Sequence, residues 1–125
     1  MKDPLLFEDK TYAIIGTCME VHNHLGAGFA EIVYKDALEY EFRQRDIPFE
    51  REKQYTVQYK NILLPHLFYA DFVVFDCIIL EIKSVSQFTN EFTAQCINYL
   101  KVSGNQLAIL VNFGLARLTS KRIIL

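Results

Sequence analysis

The stretch that decides the fold is "ADFVVFDCIILEIKSV", residues 70–85, in which two largely apolar runs are joined through Asp76. Each run has the length and the Val, Ile and Phe content of a buried strand, so the stretch predicts a hairpin that turns at residues 75–77. Asp71 lies five residues before Asp76, and Glu81 lies five residues after it. The two carboxylates are therefore expected to face each other across the strands, with Cβ atoms about 5 Å apart.

The two faces of this hairpin differ in character. Because side chains alternate along a strand, Lys83 falls on the same face as Glu81. The opposite face is wholly apolar and is expected to pack against helices; it consists of Phe72, Val74, Ile78, Leu80 and Ile82. Two carboxylates and one ammonium group are thus predicted to converge on one face of a central hairpin.

Like charges that face each other destabilise a strand pair unless something compensates them. A divalent cation would do so, since Mg²⁺ takes one or two carboxylates together with water and phosphate oxygens. That combination favours metal-assisted hydrolysis of a phosphodiester, in which Lys83 orients the attacking water or offsets charge that develops on the phosphate. The alternative is a structural salt bridge in which Lys83 satisfies both acids.

The rest of the chain supplies helices on both sides of this hairpin. Apolar residues recur at helical spacing in three segments, and alternating or continuous apolar runs mark the strands. Helices are predicted at 8–24, 30–45 and 86–104, and strands at 49–61, 66–75, 77–85, 106–114 and 116–125, the last of them a short edge strand. The order predicts a single α/β domain, residues 1–125, in which helices flank a mixed sheet.

Composition limits the classes of function. With 51% hydrophobic residues, 22% charged residues and a net charge of −2, the chain is globular and not broadly basic, so any nucleic-acid contact has to come from a local patch or a metal site. Three widely spaced cysteines without a CxxC pair favour buried, reduced thiols over a structural zinc site. No apolar run reaches ~18 residues and the first residues lack a signal-peptide pattern, so no membrane span is expected and the cytoplasm is the expected compartment.

Two motifs resemble a known family. "AD" at 70–71 followed by "EIK" at 81–83 resembles the signature of the PD-(D/E)XK nuclease superfamily, with Ala70 where proline is usual. "GFAEIVY", residues 28–34, matches G-x-x-E-x-x-Y, the string that names the GxxExxY protein family, a small branch of that superfamily. The surrounding residues 20–52 and "ILVNFG" at 109–114 resemble the same family, so that the resemblance covers nearly the whole chain.

The resemblance implies a restriction-endonuclease-like core with Mg²⁺ or Mn²⁺ bound by Asp71 and Glu81. Lys83 would assist the reaction, and an acid on the helix before the sheet often completes such a site. Glu31 matches that position. Tyr34, the last residue of the GxxExxY string, is expected to support this part of the site.

The helix after the lysine strand carries a further element. Gln95 and Tyr99 resemble the Q-x-x-x-Y element of RecB-type nucleases, and residues four apart share a helix face. Their polar ends are therefore expected to face the active site or the substrate, although both side chains would also suit hydrogen bonds to the edge of the sheet.

The predicted function is a metal-dependent nuclease that hydrolyses phosphodiester bonds, with DNA as the partner. A homodimer is left open, because no interface can be identified in the sequence. The alternative is a non-catalytic module on a nuclease scaffold that binds nucleic acid or a partner protein. The acidic net charge and the small size favour that alternative, and the fold alone does not decide whether the protein is an enzyme.

Overall fold

A computed structural model describes residues 6–125. The helices are α1 (Glu8–Leu25), α2 (Glu31–Gln44) and α3 (Asn90–Ser103). The strands are β1 (Phe49–Tyr55), β2 (Gln58–Tyr59), β3 (Ile62–Leu63), β4 (Phe68–Val74), β5 (Ile78–Lys83), β6 (Leu107–Asn112) and β7 (Thr119–Ile124). This is the predicted α/β architecture.

The main sheet has five strands in the order β1-β4-β5-β6-β7. Its pairs are antiparallel except β5 with β6, which run parallel, so the sheet is mixed as predicted. Helix α3 lies between β5 and β6 in the chain and supplies the crossover that a parallel pair needs. Strand β7 lies at the edge, which confirms the predicted edge strand.

One predicted strand was wrong in its extent. Residues 49–61 were expected to form one surface strand, but β1 ends at Tyr55, and β2 pairs with β3 in a separate two-stranded hairpin. The turn of this hairpin contains Lys60, whose φ of 53° is left-handed. Tyr55, Val57 and Tyr59 alternate with polar residues from the end of β1 into β2, so the pattern alone does not reveal that β1 has ended.

The predicted turn between the two central strands is confirmed. Cys77 N–H donates to the Val74 carbonyl oxygen over 3.2 Å. The two residues between them, Phe75 and Asp76, have φ of 55° and 59°, as a primed hairpin turn requires. This turn sets the register that pairs Phe72 with Leu80.

Two apolar cores lie on the two faces of the sheet. The apolar face of the hairpin packs with α1 and α2, as predicted, around Tyr34, Leu38 and Phe42. The other face packs with α3 through Cys96 and Leu100. Within residues 6–125, no helix combines the length and apolar character needed to cross a membrane.

Candidate active site

The site begins where β4 and β5 separate. The last paired residues of this ladder are Phe72 and Leu80. Beyond them the two predicted carboxylates take over the hydrogen bonds of the backbone. Asp71 N–H donates to Glu81 Oε1 over 3.0 Å, and Ile82 N–H donates to Asp71 Oδ2 over 2.8 Å. Each carboxylate therefore satisfies an N–H group near the end of the ladder, and the pair is held in place by the backbone.

The carboxylate pair, Asp71 and Glu81, is largely withdrawn from solvent. Glu81 is 4% exposed, and the side chain of Asp71 is 16% exposed. Burial raises the pKa of Glu81 well above its usual value. The charge of Asp71 and a hydrogen bond between the two carboxyl groups raise this pKa further, and the charge of Lys83 offsets part of the rise. In the absence of a cation, the pair therefore tends to retain a proton.

Lys83 does not form the alternative structural salt bridge. Within residues 6–125, it makes no ion pair with either carboxylate; its Nζ donates to Gln95 Oε1 over 3.2 Å. The same nitrogen lies 4.5 Å from the centroid of the Phe92 ring, a cation–π contact. Helix α3 thus holds the ammonium group from one side and keeps it on the exposed side of the site.

The end of β5 is fixed by the end of β6. Phe113 N–H donates to the Lys83 carbonyl oxygen over 2.8 Å. Beyond this point, the buried amide of Asn112 accepts from Val85 N–H and donates to the Val85 carbonyl oxygen, both over 3.0 Å. The loop that follows Lys83 is therefore held to the core, which fixes the backbone from which the side chain of Lys83 extends.

A second lysine, which the sequence analysis missed, lies on the other side of the pair. Lys35 on α2 donates to Asp71 Oδ1 over 2.9 Å and also pairs with Glu52. Its side chain is only 11% exposed. Burial lowers the pKa of Lys35, but the hydrogen bonds and charges of Glu52 and Asp71 outweigh burial and raise this pKa above its ordinary value. Lys35 is consequently a permanent cation beside the carboxylate pair.

The backbone is strained next to this cation. Glu52 has a φ of 54° in the middle of β1, although a side chain makes the left-handed region unfavourable. The neighbouring residues Arg51 and Lys53 keep their partners Phe72 and Ala70, so that the distortion is confined to the position opposite Asp71. Strain that persists at one position beside two buried charges is typical of a functional site.

Helix α2 also carries the predicted acid and tyrosine. Glu31 is the first residue of α2 and is half-buried, one turn before Lys35 on the same side of the helix. Tyr34 is buried; its hydroxyl donates to the Gly26 carbonyl oxygen over 2.6 Å and accepts from Phe29 N–H over 3.2 Å. Tyr34 therefore fixes the turn that leads into α2.

The structure brings Asp71 and Glu81 together, but it gives Glu31 no hydrogen bond or ion pair within residues 6–125. Among those residues no group of three or more His, Cys, Asp or Glu side chains could hold a metal ion. The part of Glu31 in the site remains a prediction.

Helix α3 contributes the two remaining predicted residues. Gln95 accepts the hydrogen bond from Lys83 that was described above. Burial raises the pKa of Tyr99, and the negative charges of Glu81 and Asp71 raise it further. Both side chains of the Q-x-x-x-Y element therefore lie near the charged groups of the site.

The carboxylate pair has the chemistry of a Mg²⁺ or Mn²⁺ site. Two oxygen ligands, supplemented by water and phosphate, suit these cations better than a closed cage of protein ligands does. A cation would also relieve the repulsion that raises the pKa of Glu81. The chemistry of Asp71 and Glu81 thus suits a divalent cation, and that they bind one remains a prediction.

A mixed sheet with helices on both faces and a D…ExK hairpin at its centre defines the restriction-endonuclease-like class of α/β proteins. A family model of the PD-(D/E)XK nuclease superfamily matches residues 8–123. The chain therefore belongs to the PD-(D/E)XK nuclease superfamily.

Comparison with a solved structure supports the fold and does not bear on the function. The crystal structure of SSO0001 superimposes with a TM-score of 0.60 at 18% sequence identity, over 74% of this chain and 48% of that one. This chain thus corresponds to about half the length of that protein, and at this identity the likeness extends to the fold and no further. No curated protein sequence matches the chain.

Proposed function

We propose that the protein is a metal-dependent nuclease that hydrolyses phosphodiester bonds of DNA, within the GxxExxY branch of its superfamily. The observation that carries this proposal is the carboxylate pair itself. Burial and the neighbouring charge of Asp71 raise the pKa of Glu81, so holding these two acids together at the end of a ladder costs the folded protein stability, which the nearby Lys83 only partly offsets. A catalytic role accounts for this cost.

Asp71 and Glu81 would hold Mg²⁺ or Mn²⁺, which supplies a Lewis acid for the phosphate and lowers the pKa of a bound water. The backbone hydrogen bonds of Ile82 and Asp71 orient the two carboxylates without any rearrangement of the strands. Such preorganisation favours catalysis, because groups that are already oriented need not move during the reaction.

Lys83 would place its ammonium group against the attacking water or the charge of the transition state. Gln95 accepts one of its three N–H groups, and the Phe92 ring covers it, which leaves the remaining donors for a substrate. The charges of Glu81 and Asp71 raise the pKa of Tyr99, which supports a position facing the active site or the substrate.

Glu31 would complete the site from the start of α2, directly or through water. Tyr34 holds the turn before α2, and the hydrogen bond from Lys35, one turn after Glu31, to Asp71 supports this role of Glu31. The match to G-x-x-E-x-x-Y at residues 28–34 supports placement in the GxxExxY branch.

The decisive test is a cleavage assay with Mg²⁺ and Mn²⁺ on single-stranded and double-stranded DNA. Asp71→Asn preserves an oxygen for Ile82 N–H but removes the charge, and we expect cleavage to fall by a factor on the order of 10²–10³ or more. Asp9→Asn, at an exposed position of α1, is the matched control and should cleave like the wild type. Equal activity in all three proteins would identify a contaminant and refute the proposal.

One observation favours the alternative, a non-catalytic binding module. Lys35 already neutralises one oxygen of Asp71, as it would in a protein that needs no metal. Calorimetry with Mn²⁺ separates the two cases. A nuclease binds the cation in a manner that Asp71→Asn abolishes, whereas a module shows no binding in the wild type or in Lys35→Met.

The proposed compartment is the cytoplasm. Cys18, Cys77 and Cys96 are all free thiols, and Cys18 and Cys96 are buried, which suits a reducing environment. A homodimer remains a prediction that light scattering would check.

A further inference from the structure

A cleft lies on the side of α3 that carries Gln95 and Tyr99. It has a volume of about 280 Å³ and lies between the start of β4 and α3. The residues that give it its chemistry are His66, Phe68, Tyr69, Gln95, Asn98 and Tyr99. Gln95 also accepts the hydrogen bond of Lys83, so the cleft shares this residue with the proposed active site.

The walls of this cleft are built from aromatic rings. The centroids of His66 and Phe68 lie 4.6 Å apart in an edge-to-face arrangement, and those of Phe68 and Tyr99 lie 6.1 Å apart in another. Tyr69 is 44% exposed, and its hydroxyl donates to Gln54 Oε1 over 3.3 Å, which tethers the end of the ring. Rings that are held by their neighbours and open to solvent on one side are platforms on which a flat heterocycle stacks.

The polar groups of the cleft are amides. Gln95 and Asn98 each offer a carbonyl oxygen and an NH₂ group, the combination that matches the edge of a nucleobase. A second cavity of about 420 Å³ shares Phe68 and Asn98 with the first and extends to Gln58 and Lys101. A lining of apolar side chains and amides therefore continues beyond the first cavity, with Val57 and Val102 beside Gln58.

The low positive charge of this surface disfavours a duplex as its ligand. Of the described residues, 6–125, Lys101 is the only lysine or arginine that lines the two cavities, and no aspartate or glutamate among them does so. Tight binding of a duplex depends on several lysines and arginines at its phosphates. Stacked and paired bases also cannot present their faces to a ring in the wall of a cleft.

We propose that this cleft binds an unpaired nucleotide of single-stranded DNA beside the scissile phosphate, so that the protein acts on single strands and unpaired ends. The inference rests on the proposed nuclease function and names its substrate class. Stacking on Tyr69, Phe68 and Tyr99 supplies the affinity, and the amides of Gln95 and Asn98 fix the edge of the base. Lys101 receives a phosphate farther along the strand.

The test measures binding separately from cleavage. The probe is a fluorescein-labelled oligothymidine of 15 nucleotides, and the comparison is the same strand paired with oligodeoxyadenosine. Fluorescence anisotropy is recorded in EDTA, where no metal-dependent cleavage occurs. We expect the wild type to bind the single strand at least tenfold more tightly than the duplex. Tyr69→Ala should weaken binding of the single strand by roughly 5- to 150-fold, the effect of removing one stacking platform.

Two controls keep this test independent of folding. Tyr69→Phe preserves the ring and loses only the hydrogen bond to Gln54, so it should bind within about twofold of the wild type if stacking dominates. Tyr12→Ala removes an exposed tyrosine of α1, remote from the cleft in sequence, and should leave binding unchanged. Circular dichroism and thermal unfolding confirm that each variant is folded.

The outcomes separate this inference from the proposed function. Unchanged binding by Tyr69→Ala, or equal binding of single strand and duplex, overturns the inference even if DNA is cleaved. If the single strand binds in a manner that depends on Tyr69, but no protein cleaves DNA in Mg²⁺ or Mn²⁺, the result supports nucleotide binding in the cleft and refutes the proposed nuclease activity.

Discussion

Replacing Glu81 by glutamine should make the protein more stable and inactive at the same time. The amide that replaces the carboxyl keeps an oxygen for Asp71 N–H, which now donates to Glu81 Oε1 over 3.0 Å. It also brings an NH₂ group toward the Asp71 carboxylate, whose charge raises the pKa of Glu81 in the wild type. The variant therefore loses a repulsion and gains a hydrogen bond without a change in side-chain volume.

The size of the gain follows from that hydrogen bond. A hydrogen bond to a charged group is worth about 1.5–3 kcal/mol. For a chain of 125 residues, one kcal/mol corresponds to roughly 3–5 °C in Tm. We therefore expect Tm to rise by about 5–15 °C for Glu81→Gln in EDTA at pH 8.

The gain should depend on pH in a defined direction. Because burial and Asp71 raise the pKa of Glu81 in the folded state, the folded wild type holds a proton that the unfolded chain has already lost. The free energy of unfolding of the wild type therefore falls as pH rises from about 4.3, the pKa in the unfolded chain, through the raised pKa of the folded state. Glu81→Gln has no carboxyl group at this position and should not lose stability in this way as the pH rises. The difference in Tm between the variant and the wild type should therefore be large at pH 8 and small at pH 4.

Thermal unfolding in EDTA at pH 4, 6 and 8 measures this difference, and a cleavage assay on the same samples measures activity. Glu91→Gln, at an exposed position in the first turn of α3, is the control and should change Tm only slightly. A lower Tm for Glu81→Gln at pH 8 would refute the reasoning, because it would mean that the charge of Glu81 stabilises the fold.

Three further perturbations test other parts of the structure. Lys83→Ala should keep or strengthen Mn²⁺ binding by calorimetry while cleavage falls on the order of 10²–10³, since ammonium is not a metal ligand; unchanged cleavage would contradict the assigned role. Lys35→Met should raise Mn²⁺ affinity on the order of tenfold, because it frees an Asp71 oxygen and removes a nearby positive charge; weaker binding in calorimetry would show that Lys35 supports the site instead. Gly114→Ala should lower the free energy of unfolding in a denaturant titration by about 1–3 kcal/mol or more, because the added Cβ would lie 2.4 Å from backbone atoms of the loop after β5. The control Gly16→Ala meets nothing within 4 Å in α1 and should stabilise the protein, so a loss of stability in both variants would contradict the steric explanation.

The sequence by itself determined the order of the three helices and of the five strands of the main sheet, together with the central hairpin. The spacing of five residues on each side of Asp76 requires Asp71 and Glu81 to lie opposite each other once the turn forms, and the observed pairing of Phe72 with Leu80 agrees with that count. Apolar alternation likewise fixes which face of the hairpin meets α1 and α2. These features are local, since each depends on residues close together in the chain.

Only the tertiary structure decided which charges meet at the carboxylate pair. Lys35 and Glu52 are separated from Asp71 by 36 and 19 positions in the chain, and no periodicity connects them. Their contact depends on how α2 lies against β1 and on the left-handed backbone at Glu52. One signal was present: Lys35 follows Glu31 by four residues, so both share a helix face.

The position of Lys83 also required the packed structure. The alternation of side chains along the strand placed Lys83 on the face of Glu81 and left two interpretations, a structural salt bridge and a catalytic amine. Helix α3 supplies Gln95 and Phe92 as its partners and draws its ammonium group away from an ion pair with either acid. Sequence spacing fixes the face on which a side chain lies, but its partner is fixed by whichever element packs across that face, and that depends on contacts between distant parts of the chain.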